Sequence, residues 1–377
     1  MEVTVVAHDV GGVGGMEHVL AELVCGLVAA GDRVTVVART VDVPDVSLSF
    51  HRVRGPSRPF VFAYPWFLFA GTIAVHRHRR GTVESTGAIV LNYVDFVSIH
   101  FCHRAFRRDL DASTASRSTF LFRTHARVAR ALARFGERVC LRPSRLGQVV
   151  AVSPGVAAEV REFYPRLAGK VTVIPNGVDR NRFSPASPAS RLAARTRFGL
   201  PVSGLFALFV GGDWGRKGLA FAIDALADAD AWQLIVAGHG DEGAYRQIAE
   251  AAGVLSRVSF LGVVRDTPEL YRAADAFLLP TAYETFSLVA YEAAASGLPL
   301  IATAANGIED VLVDGVTGFR IVRDSRQIAS RLRRLSDAPA TAAQLGAAAR
   351  RLTAEYTWEA MVARHRELYE TAIRAVA

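Results

Sequence analysis

The chain has 377 residues, 51% hydrophobic and 21% charged, which is enough to bury the cores of about two domains and too apolar for a disordered chain. Its three cysteines (Cys25, Cys102, Cys140) form no CxxC pair, which excludes a disulfide framework and a clustered structural zinc site. The formal net charge is +8 and lies wholly in the first half: residues 1–178 carry 22 Lys+Arg against 14 Asp+Glu, and residues 179–377 carry 22 against 22.

The opening MEVTVVAHDV reads as a strand and lacks the charged head and cleavable apolar stretch of a secretory signal, so a cytoplasmic protein is expected. Arg outnumbers Lys 42 to 2, which points to a high-GC bacterial genome. GGVGG at 11–15 follows the strand and precedes an amphipathic helix. Gly12 and Gly14 fit G-x-G, but Glu17 holds the third glycine position, and no acidic residue follows the next strand, VTVVA at 34–38. A dinucleotide fingerprint is therefore not supported. Two readings remain, a tight turn without a ligand or a helix N-terminus open to an anion.

Phe60–Val75 (FVFAYPWFLFAGTIAV) is uncharged and is followed by HRHRR. It is shorter than the roughly 20 residues of a membrane span, and it contains Pro65 and Gly71. A buried helix or a shallow interfacial one fits, and the Trp, Tyr and flanking Arg favour the interface. Further strands are expected at IVLNYV (89–94) and VVAVS (149–153). IHFCHRAF places His100 at the end of an apolar strand, with His103 and Arg104 just beyond. Histidines there serve as structural hydrogen-bonders or as site residues at a sheet's carboxyl edge.

Eleven arginines fall between Arg104 and Arg145, and those from Arg123 onward recur at steps of 3 and 4, a basic stripe on one helix face. The stripe is either a solvated face or a contact for anionic lipid or an acidic acceptor. No zinc-finger, RRM or KH signature supports nucleic acid.

PNGVDRNRFSPASPAS, at 175–190, has no periodicity and marks a hinge. Beyond it the strand–turn–helix layout repeats with LFALFVGGDWGRKGLAFAIDAL from Leu205. Strands follow at 232–238, 258–262, 276–280 and 299–303, and the chain closes on a long amphipathic helix. Near-continuous apolar strands joined by helices mean parallel sheets covered on both faces. The expected fold is α/β, with two doubly wound units.

Two motifs in the second half carry chemistry. In GGDWGRKG (211–218), Arg216 and Lys217 are expected at a helix N-terminus, where they oppose the helix dipole and a bound diphosphate would remove the conflict. The alternative is a solvated basic loop. In TAYETFSLVAYEAAASGLPLIAT (281–303), Glu284 sits in a loop, Thr285 is the expected N-cap, and a helix is expected from Phe286 to Ser296. The N–H groups of Ser287 and Leu288 would suit a diphosphate. Glu292, in an Ala-rich helix, would accept from a pair of sugar hydroxyls. The alternative is a capped helix with an incidental Glu.

In order along the chain, the Gly-rich turn, IPNGVDRNRF, the RKG loop, the Glu284/Glu292 pair and the closing YTW-plus-helix resemble retaining glycosyltransferases of family 4 type with the GT-B fold. VGGDWGRKG resembles the lipopolysaccharide-core glucosyltransferase branch. The resemblance implies two Rossmann-like domains facing a central cleft. Residues 1–178 would bind the acceptor, with the helix 357–377 packing back on them, and residues 179–356 would bind a UDP-, GDP- or ADP-sugar. It implies that Arg216 and Lys217 neutralise the departing diphosphate, Glu292 binds the ribose and Glu284 holds the donor sugar. Gly212 and the backbone of Phe286, Ser287 and Leu288 would lie near the phosphates, Leu261–Val263 beside the base, and Gly14 and Gly15 over the diphosphate. His100, with His103 as the second choice, would lie near the transferred sugar, and Arg104 on the acceptor side. No metal and no cofactor are implied. The acceptor would be a glycan, a lipid-linked glycan or a small molecule, with peripheral attachment to the inner membrane face as one setting. A nucleotide-sugar epimerase and an idle nucleotide-sugar binder are the competing functions.

Overall fold

The computed structural model describes residues 1–12, 14–44, 46–106 and 120–376. The described residues form two units: the chain up to Gly177 together with the helix from Trp358 onward, and Val178–Thr357.

The first unit runs β1 (Glu2–Val6), β2 (Asp9–Gly11), α1 (Gly15–Ala29), β3 (Arg33–Ala38), β4 (Thr40–Asp42), β5 (Ser49–Arg52), α2 (Phe60–His78), β6 (Thr82–Thr86), β7 (Val94–Ile99), α3 (Phe120–Cys140), β8 (Leu146–Ala151), α4 (Pro154–Phe163) and β9 (Val171–Val173). Seven strands make a parallel sheet in the order β5-β3-β1-β6-β7-β8-β9, with Val3 beside Val34 on one side and Thr82 on the other. Val3, Val5 and Val6 are wholly buried, as helices on both faces require of a central strand.

The second unit runs α5 (Pro188–Arg197), β10 (Leu205–Val210), α6 (Trp214–Lys217), α7 (Leu219–Ala225), β11 (Trp232–Ala237), α8 (Glu242–Ala251), β12 (Val258–Gly262), α9 (Pro268–Ala273), β13 (Ala276–Leu279), α10 (Leu288–Ala295), β14 (Leu300–Thr303), β15 (Gly318–Ile321), α11 (Ser325–Asp337) and α12 (Pro339–Leu352). Its six parallel strands are ordered β12-β11-β10-β13-β14-β15. The final helix, α13 (Trp358–Val376), belongs to the first unit.

Helix α13 is fastened to that unit by polar contacts. Arg366 Nε donates to Asp32 Oδ2 at 2.8 Å, and the Met1 amine donates to Asp32 Oδ1 at 2.7 Å. The Tyr369 phenol and the Ser98 hydroxyl both donate to the buried Glu84 of β6, and His365 Nε2 lies 3.7 Å from it. A Cβ at Gly26 of α1 would lie 2.4 Å from Val362 Cγ2, so the two helices meet at a glycine.

The strand expected at 89–94 is displaced. Residues 89–93 are irregular, tied down by Leu91 N–H donating to Thr72 Oγ1 at 2.9 Å, and the strand is β7, Val94–Ile99. The sheet position before it is taken by β6, TVEST, whose polar residues gave no strand signal because their partners are remote in sequence. Phe60–Val75 lies in α2, half buried and half exposed. The segment 107–119, with three of the eleven arginines, and the side chain of Arg123, the first of the basic stripe, lie outside the described residues. Arg127, Arg134 and Arg138 of α3 are exposed.

Both sheets reverse their strand order once. In the first unit the reversal falls between β1 and β6, in the second between β10 and β13. The loops after these strand pairs splay apart at the carboxyl edge, which is where open α/β sheets bind ligands.

Candidate functional site

At the second unit's switch point, the loop after β10 and the loop after β13 bring four polar side chains together. Lys217 Nζ donates to Glu284 Oε1 at 2.9 Å, Arg216 Nη1 at 3.2 Å and Thr281 Oγ1 at 3.1 Å. Arg216 also donates to the Tyr283 carbonyl, and its Nε donates to Asp213 Oδ2 at 3.0 Å. Burial pushes the Glu284 carboxyl up, but the Lys217 and Arg216 charges outweigh it and hold the carboxyl below its usual range.

Local geometry explains this meeting. Asp213 adopts a left-handed backbone and caps α6, and Gly218, at φ 81°, ends it. A Cβ at Gly218 would lie 2.1 Å from the Pro280 carbonyl oxygen, so only glycine lets this turn press against the loop after β13. Arg216 and Lys217 thus stand at the C-terminal end of a four-residue helix, not at the N-terminal end expected from the sequence. The dipole there favours cations, and Glu284 supplies their counter-charge.

Helix α10 starts later than expected. Its N-cap is Ser287, in a left-handed backbone at φ 67°, and not Thr285. The first helical residue is Leu288, and Phe286 is buried, stacked on Tyr291 at 4.0 Å between ring centroids. Ser287 Oγ is buried without a hydrogen-bond partner. Glu292, in the second turn, accepts from Tyr271 Oη at 2.5 Å, and burial pushes its carboxyl above the usual range. Gly212 packs against the His239 ring, where a Cβ would lie 2.6 Å from Cε1. Leu261 closes toward the end of β12, and Val263 is exposed just beyond it.

At the first unit's switch point, a cavity of about 200 Å³ lies outside the carboxyl ends of the sheet. It is lined by His8 beyond β1, Thr86 at the end of β6, and His100 and His103 beyond β7, with Tyr64 and Phe101. Burial pushes all three imidazoles down to about 4, assisted by Arg39 at His8, His365 at His100 and Arg134 at His103. They are neutral at physiological pH. His8 Nδ1 and Thr86 Oγ1 are buried without hydrogen-bond partners. The His103 N–H donates to Glu137 Oε1 at 2.7 Å, which orients that loop. Arg104 is placed elsewhere: its guanidinium lies over the Tyr164 ring and lines a separate cavity with Arg134 and Arg138. Gly14, at φ 155°, precedes α1, which starts at Gly15. A Cβ at Gly14 would lie 2.0 Å from Glu17 Oε2, so this helix N-terminus already faces a carboxylate of its own chain.

Sequence reasoning missed His8, Thr86, Thr281 and Tyr271. His8 and Thr281 were within reach, since each is within two residues of the end of an apolar strand. Tyr271 and Thr86 acquire their places only through the fold. Among the described residues no group of three or more His, Cys, Asp or Glu is placed to hold a metal ion.

Comparison with known proteins agrees with this layout. Residues 13–182 match the family model Glycosyltransferase Family 4, and residues 205–338 match Glycosyl transferases group 1. A D-inositol 3-phosphate glycosyltransferase of Streptomyces avermitilis is 31% identical over 60% of this chain and 52% of its own length. The chain thus spans little more than half the length of the curated relatives it matches first. A glycosyltransferase of Methanocaldococcus jannaschii is 26% identical over 81% of each chain. Among solved structures, WaaG, a glycosyltransferase involved in lipopolysaccharide biosynthesis, superposes with a TM-score of 0.81 at 21% identity, over 97% of this chain and 99% of its own. HepE of Anabaena in complex with UDP-glucose superposes at 0.72 and 20% identity, over 98% of this chain and all of its own. The chain belongs to the family 4 type of glycosyltransferases with the GT-B fold.

Proposed function

We propose that the protein is a retaining, metal-independent glycosyltransferase that moves a sugar from a nucleoside diphosphate sugar to an acceptor hydroxyl. The observation that carries this reading is the cluster of Arg216, Lys217 and Glu284 at the second unit's switch point, beside the orphaned Ser287 hydroxyl. When the glycosidic bond to the donor breaks, negative charge builds on the diphosphate. Two fixed cations and the start of α10 stabilise that charge without reorganising. All three hydrogen bonds to Glu284 fall on Oε1. Its Oε2 remains for a hydroxyl of the donor sugar, so Glu284 orients the sugar rather than attacking it. Glu292, with one oxygen bonded to Tyr271, offers the other to the ribose. The UDP complexes of HepE, a protein of the same fold, favour uridine as the base.

The acceptor binds in the first unit's cavity. His8 Nδ1 and Thr86 Oγ1 are unpaired there, and a buried polar atom without a partner costs about 1–3 kcal/mol, which an acceptor hydroxyl would relieve. His100, on the same cavity, offers its neutral imidazole to a sugar hydroxyl. The acceptor is a glycan, a lipid-linked glycan or a small polyol. The D-inositol 3-phosphate named for the curated relatives is one compound to assay.

The test is release of nucleoside diphosphate from a panel of donor sugars with candidate acceptors, with the product anomer read by NMR. The expected result is acceptor-dependent release, an anomer of the donor's configuration, and turnover unchanged by EDTA. An inverted anomer would overturn retention, and loss of turnover with EDTA would overturn metal independence.

A further inference from the structure

Helix α2 breaks the rule that surface helices turn polar residues outward. One side is buried in the first unit through Ala63, Tyr64, Phe67, Gly71 and Val75. The opposite side is also apolar. Phe62, Trp66, Phe69 and Ile73 are 67%, 49%, 65% and 38% exposed. They recur at steps of 4, 3 and 4 and form a single stripe about 16 Å long. The one polar atom among them, the Trp66 indole N–H, is already bonded to the Arg54 carbonyl at 2.8 Å. The stripe therefore offers nothing for water to hydrogen-bond.

The charge in the sequence flanking it has one sign. Residues 46–83 hold six Arg and three His and no Asp or Glu. Arg54 and Arg58 before the helix and Arg77 and Arg80 near its end are exposed. Helix α3 packs beside α2 at Gly136, where a Cβ would strike the Tyr64 phenol. It presents exposed Arg127, Arg134 and Arg138 with Val128 and Phe135. Its one acidic residue, Glu137, is buried and bonded to Tyr164 and His103.

We infer that the exposed face of α2, with its flanking arginines and the adjoining face of α3, is a docking surface for an anionic lipid bilayer. The aromatic and aliphatic stripe would lie in the headgroup region, and the arginines on lipid phosphates. A second copy of the chain fits poorly, because a self-complementary contact would bring two like-charged rims together. Crossing the bilayer is excluded for α2, since half its circumference is packed in the unit, and among the described residues no helix is long and apolar enough to span. The first unit's cavity is lined by Tyr64 of α2 and Glu137 of α3, so the same two helices would bring a membrane surface near the acceptor site. The docking itself does not depend on the transfer reaction.

The test is co-flotation of the full chain with vesicles of phosphatidylcholine alone and of phosphatidylcholine mixed with phosphatidylglycerol. The expected result is flotation with the mixed vesicles, weakened by salt, and quenching of Trp66 by brominated acyl chains that is lost in Trp66→Phe. Phe62→Ser with Phe69→Ser should weaken flotation about tenfold or more. Arg77→Ser with Arg80→Ser should weaken it roughly 30-fold and flatten its salt dependence. Unchanged urea unfolding would show that these surface variants are folded. Absence of flotation by the wild-type chain, or flotation indifferent to both pairs of substitutions, would overturn the inference. Self-association abolished by Phe62→Ser with Phe69→Ser, without flotation, would assign the face to a second copy and overturn it as well.

Discussion

Lys217→Ala should lower turnover about 100-fold or more, the loss of about 2.7 kcal/mol of transition-state stabilisation typical of one preorganised electrostatic donor. Lys217 is buried, and its ammonium is held 2.9 Å from Glu284 Oε1, so its position is set before any ligand arrives. A charge already in place costs nothing to reorganise when the diphosphate departs. The substitution should leave the fold intact, because Glu284 keeps Arg216 at 3.2 Å and Thr281 at 3.1 Å. Steady-state kinetics on a variant with wild-type unfolding would decide the matter. Near-normal turnover would remove Lys217 from the diphosphate site.

Glu84→Ala should lower the unfolding free energy of the first unit by about 3 kcal/mol, as expected when a buried carboxylate is removed from partners that stay buried. The variant leaves the Tyr369 phenol and the Ser98 hydroxyl without their common acceptor and removes the carboxylate 3.7 Å from the His365 ring. Tyr369 and His365 lie on α13, so the effect should appear as faster amide exchange along 358–376. Nucleotide binding in the second unit should be unchanged. Wild-type exchange along α13 would show that the Arg366–Asp32 contact and packing against α1 hold it without Glu84. Glu84→Gln retains an acceptor oxygen and should cost less.

How much was legible in the sequence follows the source of each signal. Strands such as VTVV and LFALFV, buried on both faces, announce themselves as apolar runs, and the glycine turns after them mark the carboxyl edges. Strand β6 does not, because Glu84, Ser85 and Thr86 are buried polar residues, and Glu84 finds its partner on α13 at the far end of the chain. Residues 89–93 carry the right composition for a strand but lie past the end of β6, and β7 begins only at Val94. The charged residues of the second unit's site could be read because a turn and a helix start name them locally. Their electrostatic relation could not. The sequence argued a conflict between two cations and a helix N-terminus, whereas the fold ends α6 at Gly218 and sets Glu284, 67 residues away from Lys217, against the pair. Thr86 went unnoticed for a related reason, and although the position of His8 was readable its unpaired Nδ1 was not: an orphaned polar atom becomes visible only when the surrounding elements have shut out water.

The most direct test of the central claim, a nucleoside diphosphate site between the loops after β10 and β13, is thermal unfolding of wild type and Lys217→Ala with UDP, GDP, ADP and TDP. Ligand at about 100 times its dissociation constant adds about 2.7 kcal/mol to stability. The account predicts a clear shift with one base in the wild-type protein and a smaller one in Lys217→Ala. No shift with any of the four, or a shift that Lys217→Ala leaves untouched, would contradict it.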